Sequence, residues 1–153
     1  MSSAYNSEFS RSQSLASGTG SGVISTYHLS LKGLKRLTFP VPVFVELQVK
    51  TAFEGSNDTL DVDVVSTTDD DTTSWASLNV VQQAAKVIPA ESGVGTRVYF
   101  LLPDAEITSG DDHIALRYYA RGEGALTAGA ISARLTLEPG RDVIMPRETD
   151  HIG

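Results

Sequence analysis

Apolar and polar residues alternate with a period of two along much of this chain, and this pattern constrains the fold more than any other feature. It is clearest in 43-VFVELQVKT-51 and 60-LDVDV-64. Successive side chains of a β-strand point to opposite faces, so the alternation predicts strands with one face on a core. Alternation, or enrichment in β-branched and aromatic residues, predicts further strands at 23–31, 96–103, 114–120 and 131–137.

Turn-forming residues separate these predicted strands. Gly, Ser, Asn, Asp and Pro cluster at 54–58, 67–74, 89–95, 109–112 and 121–129. Because no long helical crossover lies between the strands, the sequence predicts an all-β fold, an antiparallel β-sandwich or barrel. We place the sandwich domain at residues 23–139.

The segment 76-ASLNVVQQAAKVI-88 fits two periods, because its apolar residues can form a helical stripe or one face of a strand. Ala and Gln favour a helix in isolation. The position of the segment within a series of strands favours a strand, which is our prediction.

Length and composition exclude several classes of protein. The chain has 153 residues, the length of one domain that needs no metal or disulfide to fold. It has no Cys, which excludes a disulfide framework, a thiolate zinc site and a Cys nucleophile. No apolar run approaches the ~20 residues of a membrane span, and the N-terminus lacks the pattern of a secretory signal. We therefore expect a soluble protein without a membrane partner.

The charge distribution disfavours a nucleic-acid partner. The net charge is −7, and residues 56–112 hold eleven Asp and Glu against two Lys and Arg. This acidic middle would repel a phosphate backbone, and no cluster of basic and aromatic residues offsets it.

The two ends of the chain differ from the middle. Residues 1–22 are rich in Ser and Gly, which fits either a flexible tail or an arm that becomes ordered on a partner. Residues 140–153 have mixed charge and little periodicity, and we predict a second flexible or partner-docked extension. The predicted partner-contact residues in the two extensions are Tyr5, Phe9, Arg11, Arg141 and Arg147.

The run of three aspartates in 64-VVSTTDDDTTSW-75 fails the test for a helix–loop–helix calcium site. Counting from Asp69 puts Ser74 where that loop needs Gly and Val80 where it needs Glu. Asp and Thr side chains also bond their own backbone in tight turns. We therefore predict a solvated loop between strands, with an irregular calcium loop at Asp69–Asp71 as the alternative.

No catalytic set emerges from the remaining polar residues. Asp61 and Asp63 project to one face of a strand, roughly 7 Å apart, a separation that also occurs between glycosidase acids. They lie opposite a Leu and Val face, so we predict ordinary solvent-facing charges. His28 and His113 are predicted to be structural or surface residues, and no nucleophile elbow or phosphate loop occurs. We expect no enzymatic activity, no cofactor and no metal.

Aromatic residues occur as two adjacent pairs, Tyr99–Phe100 and Tyr118–Tyr119. The alternation of strand side chains predicts that one member of each pair lies in the core and the other is partly exposed. The alternative is an exposed aromatic platform that binds a sugar or a protein.

Several longer motifs resemble a known family. They are 9-FSRSQ-13, 51-TAFEGSNDTLDVDVVSTTDDDTTSW-75, the P-A-x-x-G turn at 89–93, 101-LLP-103 and 116-LRYYARGEGALTAGAISARLTLE-138. With these motifs the chain resembles the jelly-roll capsid cement (decoration) proteins of tailed bacteriophages, over residues 9–139.

This resemblance implies a jelly-roll sandwich on the outer surface of the virion head, assembled in the host cytoplasm. There it would bridge copies of the major capsid protein and pair with itself, as a homodimer rather than a trimer. The alternative function is a carbohydrate-binding β-sandwich module of a phage tail or fibre.

Overall fold

The computed structural model is all-β, as predicted. It describes residues 8–16, 22–30, 36–37, 41–68, 79–87, 92–102, 104–107, 110–138 and 143–144. None of these residues is helical. No helix long and apolar enough to cross a membrane is found among them.

Ten strands make up the described part of the chain. They are β1 (Glu8–Ser14), β2 (Val23–Ile24), β3 (Leu29–Ser30), β4 (Arg36–Leu37), β5 (Phe44–Thr67), β6 (Asn79–Val87), β7 (Arg97–Leu101), β8 (Ala105–Glu106), β9 (His113–Thr136) and β10 (Val143–Ile144).

Two strands of 24 residues each, β5 and β9, pair antiparallel along their whole length and organise the fold. The first part of β5 pairs with the last part of β9, and the last part of β5 pairs with the first part of β9. Each long strand therefore contributes to two sheets. Sequence reasoning divided each of them into two shorter strands.

The predicted turns at 54–58 and 121–129 are wrong, because these two segments pair with each other inside the long ladder. The register shifts four times between Val49 and Thr59, and such bulges bend a strand pair. Gly129 lies in this region with φ 138°, and a Cβ there would overlap the ring of Phe53. The glycines and polar residues that resemble turn signals thus serve to bend a continuous ladder.

The bend produces two sheets of five and four strands, an arrangement consistent with a β-sandwich. Sheet I contains β1, residues 130–136 of β9, residues 44–51 of β5, β7 and β10, in that order. Sheet II contains β2 and β3, which together occupy one edge position beside residues 113–121 of β9, followed by residues 59–67 of β5 and by β6. Within the described chain, all these pairings are antiparallel except that of β10 with β7. Strands β4 and β8 form a separate pair.

One hydrophobic core joins the two sheets. Sheet I contributes Val45, Leu47 and Phe100, and sheet II contributes Val62 and Leu116, all of them buried. In β5 and β9 the inward residues are those that the alternation places on the apolar face. In β6 the register shifts, so Val80 is exposed while Ala85 and Val87 are buried. Burial of this shared face is the main stabilising contribution, since apolar surface contributes about 25 cal/mol per Å² removed from water.

Strand β1 belongs to sheet I, although the sequence analysis placed it in an arm at residues 1–22. It pairs with β9, and Phe9 is fully buried in the core. Ser10 Oγ lies 2.7 Å from the Tyr118 hydroxyl of sheet II. This buried polar contact crosses the core, and desolvation raises the pKa of the Tyr118 hydroxyl.

The strand prediction for 76–88 is confirmed over the described residues, because β6 spans Asn79–Val87 and pairs with β5. Position in the sheet outweighed the helical preference of Ala and Gln, since Ala84 and Ala85 are buried against the core. In the predicted C-terminal extension, Val143–Ile144 pairs with β7.

Candidate functional site

Two aspartates on the outer face of sheet II form cross-strand ion pairs with arginines of β9. Asp63 Oδ2 accepts a hydrogen bond of 2.8 Å from Nη2 of Arg117, and Asp61 Oδ2 accepts one from Nε of Arg121. Pairing of β5 with β9 puts these groups side by side. The hydrogen bond and the charge of Asp61 raise the pKa of Arg121.

The prediction that Asp61 and Asp63 are solvent-facing surface charges is wrong. Their residues are 1% and 3% exposed. The strand face was assigned correctly, since both lie opposite the core-facing valines, but arginine side chains from the neighbouring strand reach across and pair with both carboxylates. A buried carboxylate needs such a partner, because taking an isolated charge out of water costs several kcal/mol.

Tyr119 lies beside this ion-pair group. The guanidinium carbon of Arg121 is 4.9 Å from the centre of its ring, which is the distance of a cation–π contact. Phe100 and Tyr118 are buried in the core and Tyr119 is partly exposed, as the adjacent-pair pattern predicts. Tyr99 differs, because it is also buried, on the outer face of sheet I.

Glu46 is the centre of a second cross-strand network, on the outer face of sheet I. Its carboxylate accepts hydrogen bonds from Nε of Arg134 at 2.9 Å and from the Tyr99 hydroxyl at 2.8 Å. Burial alone would raise the pKa of Glu46, but the bonds from Arg134 and Tyr99 outweigh it and hold that pKa below its ordinary value. The hydrogen bond that Tyr99 donates to Glu46 raises the pKa of the Tyr99 hydroxyl, and burial raises it further.

A third polar group lies where β5 ends and β9 begins. Asp111 accepts hydrogen bonds from Ser66 at 2.6 Å and from Asn79 at 2.8 Å. His113 Nδ1 lies 2.6 Å from Asp112, and its ring meets the ring of His28 edge-on at 4.7 Å between centroids. The histidines are brought together by β3 pairing with β9. Among the described residues, no three acidic or histidine side chains form a group suited to a metal.

Of the predicted partner-contact residues, the structure describes Phe9 and Arg11. Phe9 is enclosed by the core of its own chain, where a partner cannot reach it. Arg11 is exposed and pairs with Glu8 at 2.5 Å. Tyr5, Arg141 and Arg147 lie outside the described residues, as do Asp69–Asp71.

Sequence reasoning missed the arginines that complete the ion pairs, Arg117, Arg121 and Arg134. One signal was present: acids two residues apart on one predicted strand, and Arg117 on the polar face of another. Arg121 fell within a predicted turn, which concealed its part in the second ion pair. Strand register decides which of these groups meet, and register depends on the bulges at the bend.

No protein-family model matches the chain, and no curated protein matches it at a significant level.

Proposed function

We propose that this chain is a jelly-roll capsid cement protein of a tailed bacteriophage. In this role it binds the outer surface of the head, bridges major capsid proteins and stabilises the particle. The observation that favours a structural role is the pairing of the buried carboxylates of Asp61, Asp63 and Glu46 with arginines of β9. Each of these buried carboxylates holds an arginine of a neighbouring strand, so it braces the sheet instead of acting on a substrate.

The motifs shared with the cement family support the choice among structural roles. The proposed partners are the major capsid protein and a second copy of this chain, and the proposed location is the virion surface. On a symmetric head many copies bind at once, so each contact can be modest while the assembled shell is held strongly.

The direct test is to mix the purified protein with undecorated phage heads, with and without EDTA. We expect it to co-sediment with the heads equally in both conditions, and to raise the temperature at which the heads lose their DNA. Heads that neither bind the protein nor gain stability would contradict the proposal.

The second candidate function is a carbohydrate-binding module of a phage tail or fibre, favoured by the partly exposed Tyr119 beside Arg121. A glycan array separates the two functions. Glycan binding that is lost in Tyr119→Ala, together with no binding to heads, would favour this candidate. Glycan binding abolished by EDTA would also count against the cement function.

A further inference from the structure

The outer side of sheet II presents cations to solvent although the chain as a whole is acidic. We call it the cationic face and define it by its outward residues: Gln83, Lys86, Arg117, Tyr119 and Arg121. Gln83 and Lys86 lie on β6, where the register places them beside Asp63 and Asp61 of β5. The remaining three residues lie on β9, on the other side of β5. Each aspartate offsets the charge of one arginine, and Lys86 adds one positive charge without such a partner among the described residues. The arginine side chains are 21% and 56% exposed and those of the aspartates 5% and 2%, so a partner meets the cations before the anions.

The two arginines of the cationic face retain unused hydrogen-bond donors. Arg121 is committed to its aspartate through Nε, and its side chain is 56% exposed. Arg117 uses Nη2, while its Nε is buried and meets no acceptor within the described part of the chain. Lys86 is exposed and forms no ion pair with any described residue. Because the buried Nε of Arg117 cannot reach a partner, the donors open to one are those of the exposed Arg121 guanidinium and of Lys86. The planar fork of a guanidinium matches a carboxylate, so these donors point to an anionic ligand.

We propose that the cationic face is a docking surface for carboxylate side chains of a protein partner. That the partner is the major capsid protein rests on the proposed function. The docking surface itself rests only on the exposed cations described above. Tyr and Arg are the residues most enriched at the energetic centres of protein interfaces, and here they are adjacent.

Charge decides between protein carboxylates and a phosphate backbone. The cations lie in and beside residues 56–112, whose net charge is strongly negative. A compact acidic loop can contact the face alone, and acids farther away than the screening length of about 10 Å at 0.1 M salt oppose it little. A nucleic-acid duplex carries phosphates along its whole length, and the net charge of −7 on the chain opposes its approach.

Lys86→Glu is the variant that tests the docking surface, with Lys50→Glu as its matched control. Both lysines are exposed on strands, neither forms an ion pair among the described residues, and both substitutions change the net charge equally. Lys50 lies on β5 in sheet I. We expect Lys86→Glu to bind undecorated heads about ten-fold more weakly than wild type and with less salt dependence. We expect Lys50→Glu to bind like wild type.

A probe that needs no heads tests the same surface independently. A ten-residue glutamate peptide should shift backbone amide resonances of residues 83–87 and 117–121 in wild type and in Lys50→Glu, and not in Lys86→Glu. Equal unfolding midpoints verify that the variants are folded, and Lys86→Gln replaces Lys86→Glu if that variant unfolds.

Each result has a defined meaning. Heads that bind wild type and both variants equally would overturn the docking surface and leave the proposed function intact. Heads that bind none of the proteins would contradict the proposed function, and the glutamate peptide then decides the docking surface alone. Absence of the peptide shifts, tighter binding of a DNA duplex than of the peptide, or a dimer that Lys86→Glu dissociates would each overturn it.

Discussion

At the scale of single residues, three buried carboxylates of the described sheets each pair with one arginine. Asp61, Asp63 and Glu46 are less than a tenth exposed, and each meets a guanidinium on β9. Such a pair adds little stability relative to an apolar pair of similar size. Removing one partner is much more costly, because it leaves the other charge partly desolvated without compensation.

Substitution of Asp63 measures this cost. Asp63→Asn keeps the shape but leaves Arg117 with a neutral acceptor, and we expect the free energy of unfolding to fall by about 2 kcal/mol. Urea unfolding at pH 7 gives the value. Asp104→Asn is the control, since Asp104 is exposed and forms no ion pair among the described residues. Equal stability of the two variants would mean that the Asp63–Arg117 pair contributes nothing.

Glu46 makes the stability depend on pH. Because its pKa in the folded protein lies below the ordinary value of 4.5, the unfolded chain binds more protons at mildly acidic pH. The stabilisation from Glu46 is therefore complete above its unfolded pKa and is lost as the pH falls through its folded pKa. We expect Glu46→Gln to be less stable than wild type at pH 7 and to lose less stability on acidification.

Urea unfolding at several values between pH 3 and pH 7 tests this expectation. Glu138→Gln is the control, since Glu138 is exposed and forms no ion pair among the described residues. A pH dependence that is the same in Glu46→Gln and in wild type would contradict the role assigned to Glu46.

At the scale of elements, β1 is the strand whose observed location differs most from the prediction. Its seven residues look like part of a polar tail, yet one side of the strand closes the core. The Tyr118 hydroxyl, Ser10 and Gln13 form a continuous hydrogen-bonded chain, and the Gln13 amide continues it to the Ile24 carbonyl. Strand β1 is thereby joined to sheet II as well as to sheet I.

Phe9→Ala tests whether β1 is part of the folded domain. A cavity at a fully buried Phe costs about 3–5 kcal/mol, so we expect a large fall in the free energy of unfolding. Arg11→Ala on the same strand is exposed and should change stability by less than about 0.5 kcal/mol. If both variants were as stable as wild type, β1 would be a dispensable arm, as the sequence analysis allowed.

At the scale of the whole molecule, the two sheets share β5 and β9, so neither sheet is complete without the other. The core also takes side chains from both sheets. A domain built in this way should unfold as one unit, since opening either sheet breaks the same two strands.

Hydrogen exchange measures this coupling. Leu47→Ala removes a buried side chain from sheet I, and we expect about 3 kcal/mol lower stability. Amides of Val62 and Leu116 in sheet II should lose protection by the same free energy as those around residue 47. Unchanged protection in sheet II would mean that the sheets open independently.

The candidate site was only partly predictable. Alternation identified the core face of β5 and β9, including Val62 and Leu116, and it placed Asp61 and Asp63 on the opposite face. It did not reveal that these acids are buried, because their burial depends on arginines more than 50 residues away. The proposed function rests on motifs that resemble those of the cement proteins and on these ion pairs, and head-binding experiments test it.

By itself, the sequence determined the all-β class and the identity of most core side chains of β5 and β9, because period-two burial is a local property of the chain. The strand character of 79–87 followed from the strands predicted on either side of it, since its own residues fit two periods. Only the tertiary structure decided that 54–58 and 121–129 continue two long strands, that Phe9 closes the core, and which arginine meets which carboxylate. These outcomes depend on pairing between segments far apart in sequence. Pairing register is set by bulges and by burial across the sheets, which no single segment contains.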